Sequence, residues 1–216
     1  MIMTDISELG FRPTAAHVNA LRRLRFCWAE GMESGGPTVD PFAPYGSTDI
    51  TNDLADLAGS RDWPTVARLH VEVMTLLIWA LPNTPIREGH YPIDPHVRAV
   101  GREHVDDPDS FPFLHSTEPF AFKREHLLLL RNLVFDWDAD WMLEAEPSEV
   151  AVAMVNFKRP FGDATAFEHD MEYILGLPPA ADEERMEWLD SLYRELWPAL
   201  QVFVANVDMR LFQTPE

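Results

Sequence analysis

One cysteine, Cys27, stands in a chain of 216 residues, so no internal disulfide can brace the fold. That fits a reducing compartment, and its place between Phe26 and Trp28 points to packing rather than reactivity. Basic side chains are also scarce: 17 Lys and Arg face 36 Asp and Glu, for a formal charge of −19. A field of that sign repels phosphate backbones and anionic lipid, which argues against nucleic-acid and membrane partners. The most apolar stretch, Val73 to Leu81, is far shorter than the roughly twenty residues of a membrane span. The opening Met1 to Glu8 lacks the basic and apolar parts of a signal peptide, so a soluble cytoplasmic protein is expected. Reaction signatures are missing as well. Gly35-Gly36-Pro37 fits neither phosphate-cradling glycine pattern, and no serine or cysteine sits in a nucleophile elbow. The expectation is a protein without a cofactor and, on balance, without catalysis.

What the chain does contain, it contains twice. His17, Leu21, Arg22, Leu24, Phe26 and Trp28 recur in register as His126, Leu130, Arg131, Leu133, Phe135 and Trp137. A turn motif follows each: Pro44-Tyr45-Gly46 and Pro160-Phe161-Gly162 lead into short apolar-striped segments closed by Gly59 and Gly176. Further on, Leu69 and Glu72 match Leu192 and Glu195. The separation grows from 109 at the histidines through 116 at the prolines and 117 at the glycines to 123 at the glutamates. A spacing that only grows means one order of elements with insertions in the second copy. The expected fold is therefore mainly α: an internal duplication of a helix, turn motif, helix and long helix, pseudo-twofold, with short extended segments. The division is a lead-in at 1–10, copy 1 at 11–81, a connector at 82–119 and copy 2 at 120–216.

Arg159-Pro160-Phe161-Gly162 and Ala43-Pro44-Tyr45-Gly46 resemble the Arg-Pro-Tyr-Gly-type turn that a family of bacterial proteins carries between helices. The likeness lies mostly in the second half. It implies the helical module and transfers no site residue.

Periodicity predicts a first helix from Pro13-Thr14 through Leu24 and an extended exit at Phe26 to Trp28. It predicts a long helix capped by Asp62 and stopped at Pro82, with Val66, Leu69, Val73, Leu76, Leu77 and Ala80 on its buried face. The second long helix starts near Asp182, buries Met186, Leu189, Leu192, Leu196, Leu200 and Phe203, and is expected to kink or break at Pro198. A short helix is expected after Asp94, with Phe111 to Leu114 pinning the connector. Whether Glu149 to Val155 is strand or helix stays open.

The connector holds four of the eight histidines, so His90, Asp94, His96, His104 and His115 are the metal candidates, although their spacing matches no metal motif. Among recurring residues, Asp53 with Asp170 and Glu72 with Glu195 are candidate acid-base carboxylates for a cleft between the copies. The other reading makes them structural devices repeated with the module. Acidity concentrates in copy 2, where Asp136, Asp138, Asp140, Glu144, Glu146 and Glu149 follow one another with no base between. Such a surface suits a basic partner protein. The leading expectation is an acidic interaction protein, of the kind that neutralises or regulates a toxin or nuclease. The alternatives are a small-ligand binder or enzyme at the inter-copy cleft, and a self-associating protein.

Overall fold

The computed structural model describes residues 6–23, 27–29, 38–40, 55–56, 58–104, 112–132, 134–136, 155–158, 167–178 and 183–212. It is mainly helical. Seven α-helices run among these residues: α1 Ala15–Arg23, α2 Trp63–Asn83, α3 Pro95–His104, α4 Pro112–His115, α5 Arg124–Asn132, α6 Phe167–Leu175 and α7 Glu183–Ala205.

The two long helices, α2 and α7, form the centre. Asp62 caps α2, accepting from the Thr65 amide at 3.2 Å and its hydroxyl at 2.8 Å, and Pro64 occupies a position where a missing N–H costs nothing. Glu183 and Glu184 open α7, where carboxylates favour the helix dipole. All six residues expected on the inner face of α2 are buried; on α7, Leu189, Leu192, Leu196, Leu200 and Phe203 are buried too. Met186 is a correction. It lies in the first turn of α7 and is 37% exposed, because that end of the helix reaches past the core.

Pro198 does not break its helix. Helix α7 continues past it to Ala205, losing only the ladder bond that the carbonyl of Arg194 would accept. Burial of Leu196, Trp197, Ala199 and Leu200 around the gap holds the helix in register. Pro82 likewise lies inside α2, one residue before its end.

The short segments close as the sequence predicts. Gly59 and Gly176 have φ of 61° and 69°, the left-handed region that favours glycine. Each ends its helix with the same bond pair: Ser60 N–H to Ala55 carbonyl and Gly59 N–H to Asp56 carbonyl, then Leu177 to Glu172 and Gly176 to Tyr173.

Extended segments are more organised than the sequence indicates. Strands β1 Cys27–Ala29, β2 Thr38–Asp40, β5 Val134–Asp136 and β6 Val155–Lys158 form an antiparallel sheet in the order β1-β2-β6-β5. Its central pairing, Thr38 with Asn156 and Val39 with Val155, joins the two halves of the chain. Val155 is thus the start of a strand, whereas 149–154 lie outside the described residues. The connector contributes β3 Gly89–Tyr91, which pairs with β4 Phe120–Phe122, and Leu114 is buried beside it in the core.

Helix α1 packs on both α2 and α7, and α5 does the same. The segment Pro64–Asn83 is long and apolar enough to cross a membrane by length and composition, and 59% of that window is buried inside the fold.

Candidate functional site

The recurring histidines and glutamates meet in pairs. His17 Nε2 lies 2.7 Å from Glu72 Oε2, tying the start of α1 to α2. His126 Nε2 lies 2.8 Å from Glu195 Oε2, tying α5 to α7. In both, the other ring nitrogen accepts a backbone N–H three residues earlier, from Thr14 at 3.1 Å and from Lys123 at 3.0 Å. An Nδ1 that accepts carries no proton, so Nε2–H donates to the carboxylate. A phenylalanine covers each ring: Phe11 on His17 at 5.1 Å and Phe120 on His126 at 5.2 Å between centroids. With both nitrogens engaged, neither imidazole is available as a base or a metal ligand.

The recurring arginines cross between the halves. Arg22 Nε donates to the Val207 carbonyl at 2.8 Å, beyond α7, and Arg131 Nη2 donates to the Thr84 carbonyl at 3.1 Å, beyond α2. Asn83 and Asn206 each donate to a carbonyl four residues back, those of Trp79 and Val202. Separations of 109 and 123 relate every one of these partners.

The second clasp differs from the first in its ring packing, where Phe122 also lies edge-on to His126 at 5.8 Å in the register of Pro13, and at one hydrogen-bonding position. Where copy 1 has Thr14, whose hydroxyl bonds His17 Nδ1 at 2.7 Å, copy 2 has Lys123, whose Nζ reaches Glu195 Oε2 at 2.7 Å. Burial works against ionisation of Glu195, but hydrogen bonds from His126 and Lys123 outweigh it and hold the carboxyl below its ordinary range.

Lys123 and Glu195 border a cavity of about 300 Å³ where the connector crosses α7. Arg98, reaching from α3, donates to the carbonyls of Phe113, Ser116 and Glu118 and so fixes the connector wall. Burial, then the charge of Arg102, pulls the Arg98 guanidinium below its ordinary value. Arg194 completes the cationic side, bonding Asp190 at 2.8 Å.

A different surface lies over the first two turns of α7, just before the cavity residues. The large apolar side chains that stand exposed among the described residues are Tyr173 at 70%, Trp188 at 42% and Met186 at 37%. Exposed Glu183, Glu184, Glu187 and Asp190 share that stretch of α7. On a helix, Glu183, Glu187 and Asp190 form one stripe, with Met186 and Trp188 on its two flanks.

The sequence candidates divide as follows. Glu72 and Glu195 are held by histidines, in separate halves. Asp53, Pro44, Tyr45, Gly46, Pro160, Phe161 and Gly162 lie outside the described residues, as do Asp138, Asp140, Glu144, Glu146 and Glu149. Asp136 is in β5 and Asp170 in α6, with their backbones alone described. His90 and His115 are exposed, Asp94 is exposed before α3, and His96 and His104 have their backbones described in α3. Among the described residues, no three His, Cys, Asp or Glu side chains form a group able to hold a metal ion.

Sequence reasoning missed Lys123, Arg98 and Arg194, and placed Met186 in the core. The signal for Lys123 was its register with Thr14, a cation where the repeat has a hydroxyl. Phe11 and Phe120 also stand 109 apart and were legible as a repeated pair. No protein-family model, no curated protein and no solved structure matches this chain.

Proposed function

We propose that the protein is a non-enzymatic, acidic interaction protein of bacterial type, which binds a basic protein such as a toxin or nuclease and neutralises or regulates it. The observation that carries this reading is the exposure of Tyr173 on α6 and of Met186 and Trp188 on α7, the last two in a stretch that also exposes Glu183, Glu184 and Glu187. Aromatic and methionine side chains are the usual anchors of protein interfaces, and the surrounding carboxylates select a partner of opposite charge. The acids from Asp136 to Glu149 belong to the same half of the chain, which carries 19 acids against 8 bases.

The reading takes the fold as two copies of one module about a pseudo-twofold axis. What supports it is the recurrence, at the spacings of the sequence repeat, of the Phe-His-Glu clasp, the crossing arginines, the helix-ending asparagines and the glycine caps. Duplication then explains the recurring His and Glu residues as structural, and leaves surface residues such as Trp188 to set the function. We infer a cytoplasmic protein, a reading supported by the single cysteine.

The test is a pull-down from native lysate at low and raised salt, followed by direct binding to the purified captured protein. Trp188→Ala, Tyr173→Ala and the charge reversal Glu183→Lys/Glu187→Lys are each compared with the parent chain. Capture of a basic protein, shed at high salt and weakened about tenfold or more by Trp188→Ala, is the expected outcome. Unchanged affinity in all three variants would remove this surface from the interface.

A further inference from the structure

Copy 2 departs from copy 1 at the position of Lys123, and the departure borders a cavity. In a chain with 17 basic residues, three of them, Arg98, Lys123 and Arg194, line the same concavity of about 300 Å³. That volume is at the lower end of ligand pockets, which run to about 1,000 Å³. The wall between the cations is apolar, with Phe113, Pro119 and Phe120. The geometry points to a binding site for a small monocarboxylate with an aromatic or aliphatic body, held at its head by Lys123 and Arg194.

Each part of the recognition follows from a contact. Lys123 has three N–H donors, and one goes to Glu195 Oε2, which fixes the ammonium at the cavity edge. Glu195 also accepts from His126, so its charge is met from behind by a buried ring. Arg194 bonds Asp190, whose side chain is 57% exposed, so that pair is solvent-screened and worth little beside a carboxylate held in the cavity. Arg98 donates to three backbone carbonyls and serves as a wall rather than a ligand hook. Glu118 also borders the cavity, and its charge disfavours phosphate and other dianions relative to a single carboxylate. Phe113 is itself held edge-on to Trp197 at 5.4 Å, which gives the apolar wall a fixed shape. The site stands independently of the protein-partner reading and of the residues chosen to test it.

The experiment uses the full chain, with phenylacetate, 3-phenylpropionate and hexanoate each titrated beside its own primary amide, and inorganic phosphate as an anion without an apolar body. Saturable binding is read by ligand-observed NMR and calorimetry. The expected result is a carboxylate that binds with Kd of about 1 mM or lower while its amide and phosphate do not. Lys123→Met weakens it about tenfold, and Lys123→Arg retains it, both with an unchanged far-ultraviolet spectrum. Should Lys123→Met fail to fold, Arg194→Met carries the same expectation. Amides binding as tightly as carboxylates, no binding by any carboxylate, or affinity indifferent to the loss of charge in the folded variant would each overturn the proposal.

Discussion

At the scale of single residues, the histidine clasps convert sequence recurrence into energetics. A buried His126 without Glu195 leaves an N–H unsatisfied in the interior, a cost of about 1 to 3 kcal/mol. The pH dependence follows from the direction of the Glu195 shift. Its pKa in the folded chain lies below the ordinary glutamate value, despite the opposing effect of burial, because His126 and Lys123 bond the charged form. The stabilisation is therefore present above the ordinary carboxylate range and lost as pH falls through the lowered folded value. Chemical denaturation of the parent chain and Glu195→Gln between neutral and acid pH reads this out. A stability gap of about 1 to 2 kcal/mol at neutrality should close at low pH. A gap that stayed constant would mean that the introduced amide, rather than the lost charge, destabilises the fold, and no gap at any pH would mean that Glu195 acts by shape. Recurrence singled out both members of each pair, but not that they touch. His17 and Glu72 are 55 positions apart and His126 and Glu195 are 69 apart, and only the packing of a short helix on a long one makes them neighbours.

At the scale of elements, what was legible is what local chemistry decides. Asp62 before Pro64 announces a helix start, and glycine after an apolar stripe announces a left-handed end; both are found where the residues put them. The failures have a common cause. Pro198 and Met186 were read by local rule, and tertiary context decided otherwise: burial on all sides carried the helix through the proline, while the overhang of α7 left the methionine outside. Strand pairing across the halves was illegible because three- and four-residue strands have too little alternation to announce a partner. The glycine caps offer a sharp test. Gly59 and Gly176 share φ near 61° and 69°, and an added Cβ meets nothing within 4 Å at either, so the cost of Gly→Ala is conformational alone. Each substitution should destabilise by about 1 to 2 kcal/mol, and by similar amounts. Urea midpoints that moved in only one variant would show that the two turns are not equivalent devices.

At the scale of the whole molecule, a charge of −19 should act in opposite senses on folding and on binding. Carboxylates outnumber bases about two to one, so the folded chain works against its own repulsion, which salt screens over about 10 Å at 0.1 M. Attractive pairs exist, including Arg61 with Asp56, Arg194 with Asp190 and Arg210 with Asp208, yet they are solvent-facing to varying degrees and worth little individually. Asp208 illustrates the limit: hydrogen bonds from Arg210 lower its pKa to about 2, but the partner guanidinium is 84% exposed, which marks local order without a large contribution to the fold. Repulsion should therefore win. Potassium chloride, chosen because it screens without the strong exclusion effects of sulfate, should raise the Tm of the free protein as ionic strength increases. The same change should weaken a complex with a basic partner, since attraction between opposite charges is screened by the same ions. A Tm that fell with salt would mean that the arginine pairs outweigh the net charge. A complex indifferent to salt would leave Trp188, Tyr173 and Met186 as its anchors and remove the acidic stripe from recognition.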